Sequence, residues 1–252
     1  MNLSARNASS FSEFQIDAPQ LTKILTYPRF SQEEYLLRLK ELESLGVTSL
    51  YTGGRTMLDG IRIAGKGCVG IVIRAKSGKN TYALKIRRLD ANRRTMRDEV
   101  RLHTIANAAG VGPRLESCTD NFVLMEFIDG QSIIDWARGE ITQEDTRSVI
   151  HSILEQCYSL DRAGLDHGEL SKIDNHVLVH GQKASIIDFE SASTIRKTSN
   201  VSAAGQSLLV SGAVANMITR VLPCDRESAI RALKTYKWDQ TRVNFENLLA
   251  LV

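Results

Sequence analysis

Apolar positions recur first at helical spacing and then, from Val47 onward, at strand spacing. Residues 1 to about 14 are rich in Ser and Asn with few apolar anchors, and no structure is expected there. In SQEEYLLRLKELESLG, Ser31 serves as N-cap with Glu34 three residues on. Tyr35, Leu36, Leu39, Leu42 and Leu45 form the apolar stripe and Gly46 the stop, which predicts an amphipathic helix of about four turns. Short β-branched runs follow: VTSLYT, GIRIA, VGIVIRA and TYALKIR, separated by GG, GKG and SGKN turn signals. They predict an antiparallel sheet of three or four strands. NRRTMRDEVRLHTIANAAG reads as a helix ending at Gly110, and RLESCT and NFVLMEFI as two more strands.

The second half changes character. SIIDWARG predicts a short helix and QEDTRSVIHSILEQCYSLDRAG a long one, with Val149, Ile150, Ile153, Leu154, Cys157 and Leu160 at helical spacing and a stop at Gly164. HVLV and ASIID are short strands around the turn GQK, and the tail from Asn200 is helical by pattern. Strands first and helices later predict an α+β arrangement of two lobes.

Composition narrows the class little. The 252 residues are 42% hydrophobic and 24% charged, with a net charge of +3 that argues by itself for neither nucleic acid nor an anionic membrane. Cys68, Cys118, Cys157 and Cys224 are scattered, without a CxxC pair or a nearby metal-spaced His. With no apolar leader and no long apolar run, the expected location is the cytoplasm. The basic run from Arg87 to Arg101 reads as a solvated face. Its alternative is a docking patch for an acidic protein, a phosphate, RNA or a ribonucleoprotein.

The chemistry sits in four short stretches. GKGCVGIV, Gly65 to Val72, has the pattern GxGxxGxV between two strands. It is therefore a hairpin whose backbone could lie over phosphates, not the strand-to-helix loop of a Rossmann or Walker site. Lys85 interrupts the apolar strand YALKI and must either snorkel outward or meet an anion. Glu99 is the acidic partner on the next helix, with Asp98 beside it as the solvated alternative. In LDHGELSKIDNHVLV, Glu169 is either a base or an acidic residue in a turn, while SIIDFESAS ends an apolar strand on Asp188, a hard oxygen ligand of the kind magnesium takes.

The order glycine hairpin, strand lysine, helix glutamate, LMEFIDG, HGEL and IIDFE resembles the protein kinase-like superfamily. DHGEL with IIDFESAS is similar to its atypical RIO-type branch, and the fuller set of motifs, YPRF and LESLGV included, resembles a group of archaeal RIO-like serine/threonine kinases. The resemblance implies a bilobal kinase-like fold, with a β-rich N-lobe carrying one αC-type helix and a mainly helical C-lobe. The corresponding divisions are an extension over 1–55, an N-lobe over 56–130 and a C-lobe over 131–252. It implies ATP and magnesium held between the lobes. Gly65, Lys66, Gly67, Gly70, Val72, Lys85, Glu99, Glu126 and Ile128 would serve the nucleotide, Asp188 and Asn175 the metal, and Glu169 would stand at the base position.

Three departures accompany the likeness. Glutamate replaces the usual aspartate at 169, Asp174 occupies the place five residues on with Asn175 one further, and DFE replaces DFG without an APE-like segment. The expected activity is transfer of the γ-phosphoryl of ATP to a Ser or Thr hydroxyl; Ser193, Thr194, Thr198 and Ser199, beside Arg196 and Lys197, read first as an ordinary polar loop, with autophosphorylation as the alternative. The alternatives are a small-molecule kinase acting on a sugar or aminoglycoside-like hydroxyl and a nucleotide-gated scaffold. His167 is expected to brace the loop from within, His176 to be solvated, and Trp136 and Trp238 to pack between helices.

Overall fold

The computed structural model describes residues 12–15 and 19–252, so residues 1–11 of the segment expected to lack structure lie outside the described residues. The chain divides into two compact units, 1–100 with 114–127, and 101–113 with 128–252.

The first unit is built on an antiparallel sheet. Ser12–Gln15 forms β1 where no element was expected, paired with β2, Val47–Thr52. The short helix α1, Pro19–Leu25, was also missed; it buries Leu21, Ile24 and Leu25. In α2, Gln32–Ser44, the Ser31 hydroxyl accepts the Glu34 amide at 3.4 Å, as the capping pattern predicted. The buried face differs from the expected stripe: Leu36 is 50% exposed and Arg38 fully buried.

β3 (Thr56–Leu58) and β4 (Ile61–Ile63) form a hairpin of their own, outside the main sheet. β5 (Gly65–Lys66) pairs with β6 (Gly70–Ser77), and β6 with β7 (Asn80–Arg87). The main sheet runs β1-β2-β6-β7-β9-β8, where β8 is Leu115–Cys118 and β9 Phe122–Glu126. Its core gathers Leu50, Ile71, Ile73, Leu84, Phe122 and Leu124 with α1 and Leu42 of α2. Helix α3, Arg97–Ala108, starts five residues later than the pattern NRRTM suggested, its first turn belonging to the first unit.

The second unit is mainly helical. A three-stranded sheet pairs β10 (Gln131–Ser132), β11 (Val177–His180) and β12 (Lys183–Ile186). α4 spans Ile133–Ala137, and the long α5 spans Gln143–Arg162. α5 is capped by Thr142, whose hydroxyl accepts the Asp145 amide at 3.0 Å, and it buries the predicted apolar stripe. Its polar positions also serve the sheet. Gln156 donates to Ala184 O at 2.8 Å and accepts from Ile186 N at 3.1 Å, while Ser152 Oγ accepts from Ala184 N at 3.1 Å. Side chains thereby satisfy the edge of β12 that no strand covers.

Beyond the sheet lie α6 (Asn200–Gly205), a π-helical turn (Gln206–Val210), α7 (Ala213–Val221), α8 (Arg226–Trp238) and α9 (Arg242–Leu249). Trp136 is buried as expected. Trp238 is not: at the last position of α8 it is 91% exposed, and Tyr236 takes the interior position instead. No single helix among the described residues is long and apolar enough to cross a membrane.

Candidate active site

Sheet register brings several expected residues of the first unit into one row. Gly65 faces Val72, Val72 faces Lys85 and Lys85 faces Val123, so these positions share one face of the sheet. Gly70 is required there for space. A Cβ on it would lie 3.1 Å from Lys85 Cγ and from Ile86 O. The lysine stem thus runs across the base of the glycine hairpin. Its ammonium donates to Glu99 Oε1 at 2.7 Å, with both side chains about 95% buried (5% and 4% exposed). Asp98, the alternative partner, is exposed.

Lys66 and Gly67 lie at the hairpin tip, where Gly67 N donates to Gly70 O at 2.8 Å. Glu126 ends β9 exposed and accepts the Arg114 amide at 3.2 Å; Ile128 is half-buried and falls within the second unit. Several arginines of the basic run hold neighbouring side chains, while Arg94, Arg97 and Arg101 are exposed. Arg87 donates to Asn121 Oδ1 at 2.9 Å, Arg88 pairs with Asp90 at 2.7 Å and Arg97 with Asp120 at 2.7 Å. These partners lower the Asp90 carboxyl and raise the Arg97 guanidinium from their ordinary values, chiefly through side-chain hydrogen bonds.

In the second unit a short 3-10 helix, Leu170–Asn175, carries the loop after Glu169 and turns Leu170 and Ile173 inward. Glu169 is half-buried, with Oε2 3.8 Å from Nε2 of His176. His176 is buried, contrary to the solvated place expected for it, and meets His167 edge-on at 5.2 Å between ring centroids.

His167 braces the loop as expected. Its Nε2 lies 3.1 Å from Ile187 O, a carbonyl that can only accept, so Nε2 carries the proton. Burial holds the imidazole below its usual range, which favours this neutral form. Ile187 N in turn donates to His176 O at 2.9 Å. The residue before Asp188 is therefore fastened through both backbone groups. Asp188 itself has φ 70°, and Phe189 after it is fully buried, 4.9 Å from the His103 ring and 5.4 Å from His167.

Several anchoring residues were not read from the sequence. Buried Asn200 accepts the His167 amide at 2.8 Å and donates to Leu165 O and Asp161 Oδ1, both at 2.8 Å. Asp161 also accepts from Asn200 N, Val201 N and the Tyr236 hydroxyl. Burial pushes its carboxyl up. Asp166 pairs through its backbone with Ser193, accepts from Arg196 Nε at 2.9 Å and takes the Ser199 amide at 3.1 Å. Gly168, at φ 87°, leaves room for this: a Cβ would lie 2.3 Å from Arg196 Nη2. These partners are more than 25 residues apart in sequence, so no local pattern announces them. A pocket of about 430 Å³ opens beside the loop, lined by Asp166, Gly168, Ser171, Arg196, Ser199 and Asn200 among others.

Asn175 is exposed at the end of the 3-10 helix, and Asp174 is half-buried. Among the described residues no three His, Cys, Asp or Glu side chains gather as a ready metal cage. One carboxylate and an amide or second carboxylate nevertheless fit magnesium, which takes few protein ligands and completes its shell with water and substrate phosphates.

An antiparallel sheet with a buried strand-lysine to helix-glutamate pair, joined in sequence to a helical unit with HGEL and IID loops, is a protein kinase-like fold. A family model described as the RIO domain matches residues 73–202, just over half of the chain, and the chain belongs to that family of atypical kinase-like, ATP-binding phosphotransferases. An uncharacterized protein of Methanocaldococcus jannaschii is 32% identical over 94 residues, spanning 37% of this chain and 79% of that relative.

Proposed function

We propose that the protein transfers the γ-phosphoryl of ATP to a hydroxyl acceptor, with Lys85 on the α- and β-phosphates, Asp188 and Asn175 as the ligands of magnesium, and Glu169 as the base. The observation that carries this reading is the Lys85–Glu99 pair. A buried ion pair is a weak source of stability, so its retention under a glycine hairpin is best accounted for by a phosphate-binding role. Magnesium, when bound, would offset the negative charge of the phosphates. Glu169 accepts the hydroxyl proton as the acceptor oxygen bonds to Pγ and the bond from Pγ to the β-phosphate oxygen breaks. His167 and His176 keep the loop in place and move no proton.

A Ser or Thr is the first acceptor to test, with Thr194, Thr198 and Ser199 as autophosphorylation candidates. A small hydroxyl compound is favoured by a separate observation. The stretch from Phe189 to Ser199 is short and fastened to Asp166 through Ser193 and Arg196, which leaves little freedom for a peptide platform beside the pocket.

Incubation with γ-labelled ATP and magnesium, followed by gel and thin-layer separation, distinguishes protein, small-molecule and water as acceptors. Asp188→Asn and Glu169→Gln are each expected to lower transfer by about a hundredfold to a thousandfold while thermal unfolding is preserved. Lys85→Met is expected to abolish transfer too, but it strands Glu99 in the interior and should be paired with Glu99→Gln. Full transfer in Asp188→Asn would contradict the assignment.

A further inference from the structure

We propose that the groove between α6 and α8 is a docking site for a segment of a partner protein, one that presents an apolar side chain flanked by carboxylates. The groove lies within the second unit and holds about 330 Å³. Ala203 of α6 and Ile230 and Leu233 of α8 give it apolar walls, and Lys234 and Lys237 stand along its side. Positions 230, 233, 234 and 237 are spaced by three and four, so one face of α8 carries both the apolar and the cationic contacts. Trp238 stands one turn beyond Lys234 and is 91% exposed.

The charges on this face are unbalanced. Elsewhere along α8 and α9 the arginines meet carboxylates: Arg231 lies 3.6 Å from Glu227 and 3.9 Å from Asp225, and Arg242 lies 2.9 Å from both Glu155 and Glu246. Lys234 and Lys237 have no ion-pair partner among the described residues. Asp239, the nearest acid in sequence, accepts from Asn244 Nδ2 at 3.1 Å and so serves the start of α9. Two uncompensated ammonium groups in a groove lined by no carboxylate attract an acidic partner, and the apolar walls select one with a hydrophobic side chain. An exposed tryptophan is the residue type that most often anchors a protein interface. No aromatic residue lines the groove beside it, so successive bases would find no ladder to stack on, which places protein ahead of single-stranded nucleic acid.

The groove is also held in shape. Asp161 accepts from Asn200 N of α6 at 2.9 Å and from the Tyr236 hydroxyl of α8 at 3.0 Å, tying both walls to one carboxylate. Gly205 lets the two helices close, since a Cβ there would lie 2.5 Å from Leu233 Cδ2. Just past Trp238, Gln240 donates to Thr198 O at 2.9 Å and accepts from the Thr198 hydroxyl at 3.1 Å. A concave site formed in advance spends little on ordering itself when a partner binds.

The test is selection of displayed random short peptides on the full chain, followed by fluorescence anisotropy with labelled synthetic copies. Recovered peptides are expected to carry Leu, Ile or Phe beside Asp or Glu. Lys234→Glu together with Lys237→Glu is expected to weaken their binding about tenfold or more, and Trp238→Ser about tenfold. Lys40→Glu, at an exposed position of α2 in the first unit, is expected to leave it unchanged. All of these change exposed side chains and leave thermal unfolding in place. No enriched peptide, enriched peptides without acidic residues, affinities unmoved by the Lys and Trp variants, or an equal loss in Lys40→Glu would each overturn the docking site. Labelled oligouridylate and phosphatidylserine vesicles are titrated in parallel. If either binds through Lys234, Lys237 and Trp238 while the peptides do not, the surface belongs to RNA or to a membrane and the proposal fails.

Discussion

Arg38 in the first unit and Asp161 in the second are both buried charges at the centre of a hydrogen-bond network, with the signs exchanged. Arg38 gathers oxygens: Leu25 O at 2.5 Å, Arg87 O at 2.6 Å and Asn121 Oδ1 at 3.0 Å. In this way α2 is tied to α1, to the end of the strand carrying Lys85 and to the β8–β9 turn. Glu41, one turn further along α2, reaches the same turn by accepting from the Thr119 hydroxyl and both nitrogens of Asn121. Asp161 gathers donors from Asn200, Val201 and Tyr236, and so ties α5 to α6 and α8 and, through Asn200, to the loop of Glu169. The two differ in compensation. Arg38 has a half-exposed counter-ion, Glu34, at 3.3 Å, whereas the partners of Asp161 are neutral dipoles. A planar guanidinium suits scattered carbonyls and a carboxylate suits converging N–H groups, so geometry rather than net charge selects the residue.

The comparison can be broken by substitution. Asp161→Ala leaves buried donors on Asn200, Val201 and Tyr236 without an acceptor and is expected to cost about 4 kcal/mol in urea unfolding. Arg38→Ala is expected to cost less, about 3 kcal/mol, because Glu34 can turn to water. A larger loss for Arg38 than for Asp161 would reverse the ranking by compensation. Asn200→Ala separates anchoring from folding: phosphoryl transfer is expected to fall about tenfold or more as the His167 amide loses its acceptor, for a stability cost of about 2 kcal/mol.

The smallest effect is a pH slope. The folded-state pKa of His167 is depressed below 6.5, so the unfolded chain takes up a proton that the folded chain resists. Its stability contribution is present above about pH 6.5 and is lost as pH falls toward the depressed folded value, by about 1 kcal/mol per pH unit, a slope that His167→Gln should remove. Arg38 is lowered to about 10 by burial and by Arg87, so its linkage lies between its unfolded value and pH 10 and adds no slope in the acidic range. Urea titrations at several pH values read both.

The sequence was informative where chemistry is periodic or local. The glycine hairpin, Lys85 within an apolar strand and the stripe of α5 all follow from near neighbours, whereas the brace of His167, expected from the family resemblance, is made to Ile187 and Asn200, far along the chain. Arg38 was hidden because a lone arginine in an amphipathic helix ordinarily faces water, and Leu36 took its place in the expected stripe. Asn200 and Asp161 are joined across 39 positions, a link that only tertiary packing creates. β1 was missed because a strand of Ser, Glu, Phe and Gln gains its structure from pairing with β2 and not from its own propensity. Trp238 was misread because the buried face of α8 runs through Ala229, Leu233 and Tyr236, and a residue two places beyond Tyr236 falls on the opposite side.

The backbone turn at Asp188 also bears on pharmacology. In a D-F-G segment the packing of the phenylalanine sets the active or inactive state, and the glycine beside it gives the backbone freedom to change that packing. Here Glu190 stands in that position, and Phe189 is fully buried between two histidines. On the kinase reading proposed above, compounds that need a vacated phenylalanine pocket should gain nothing from this chain.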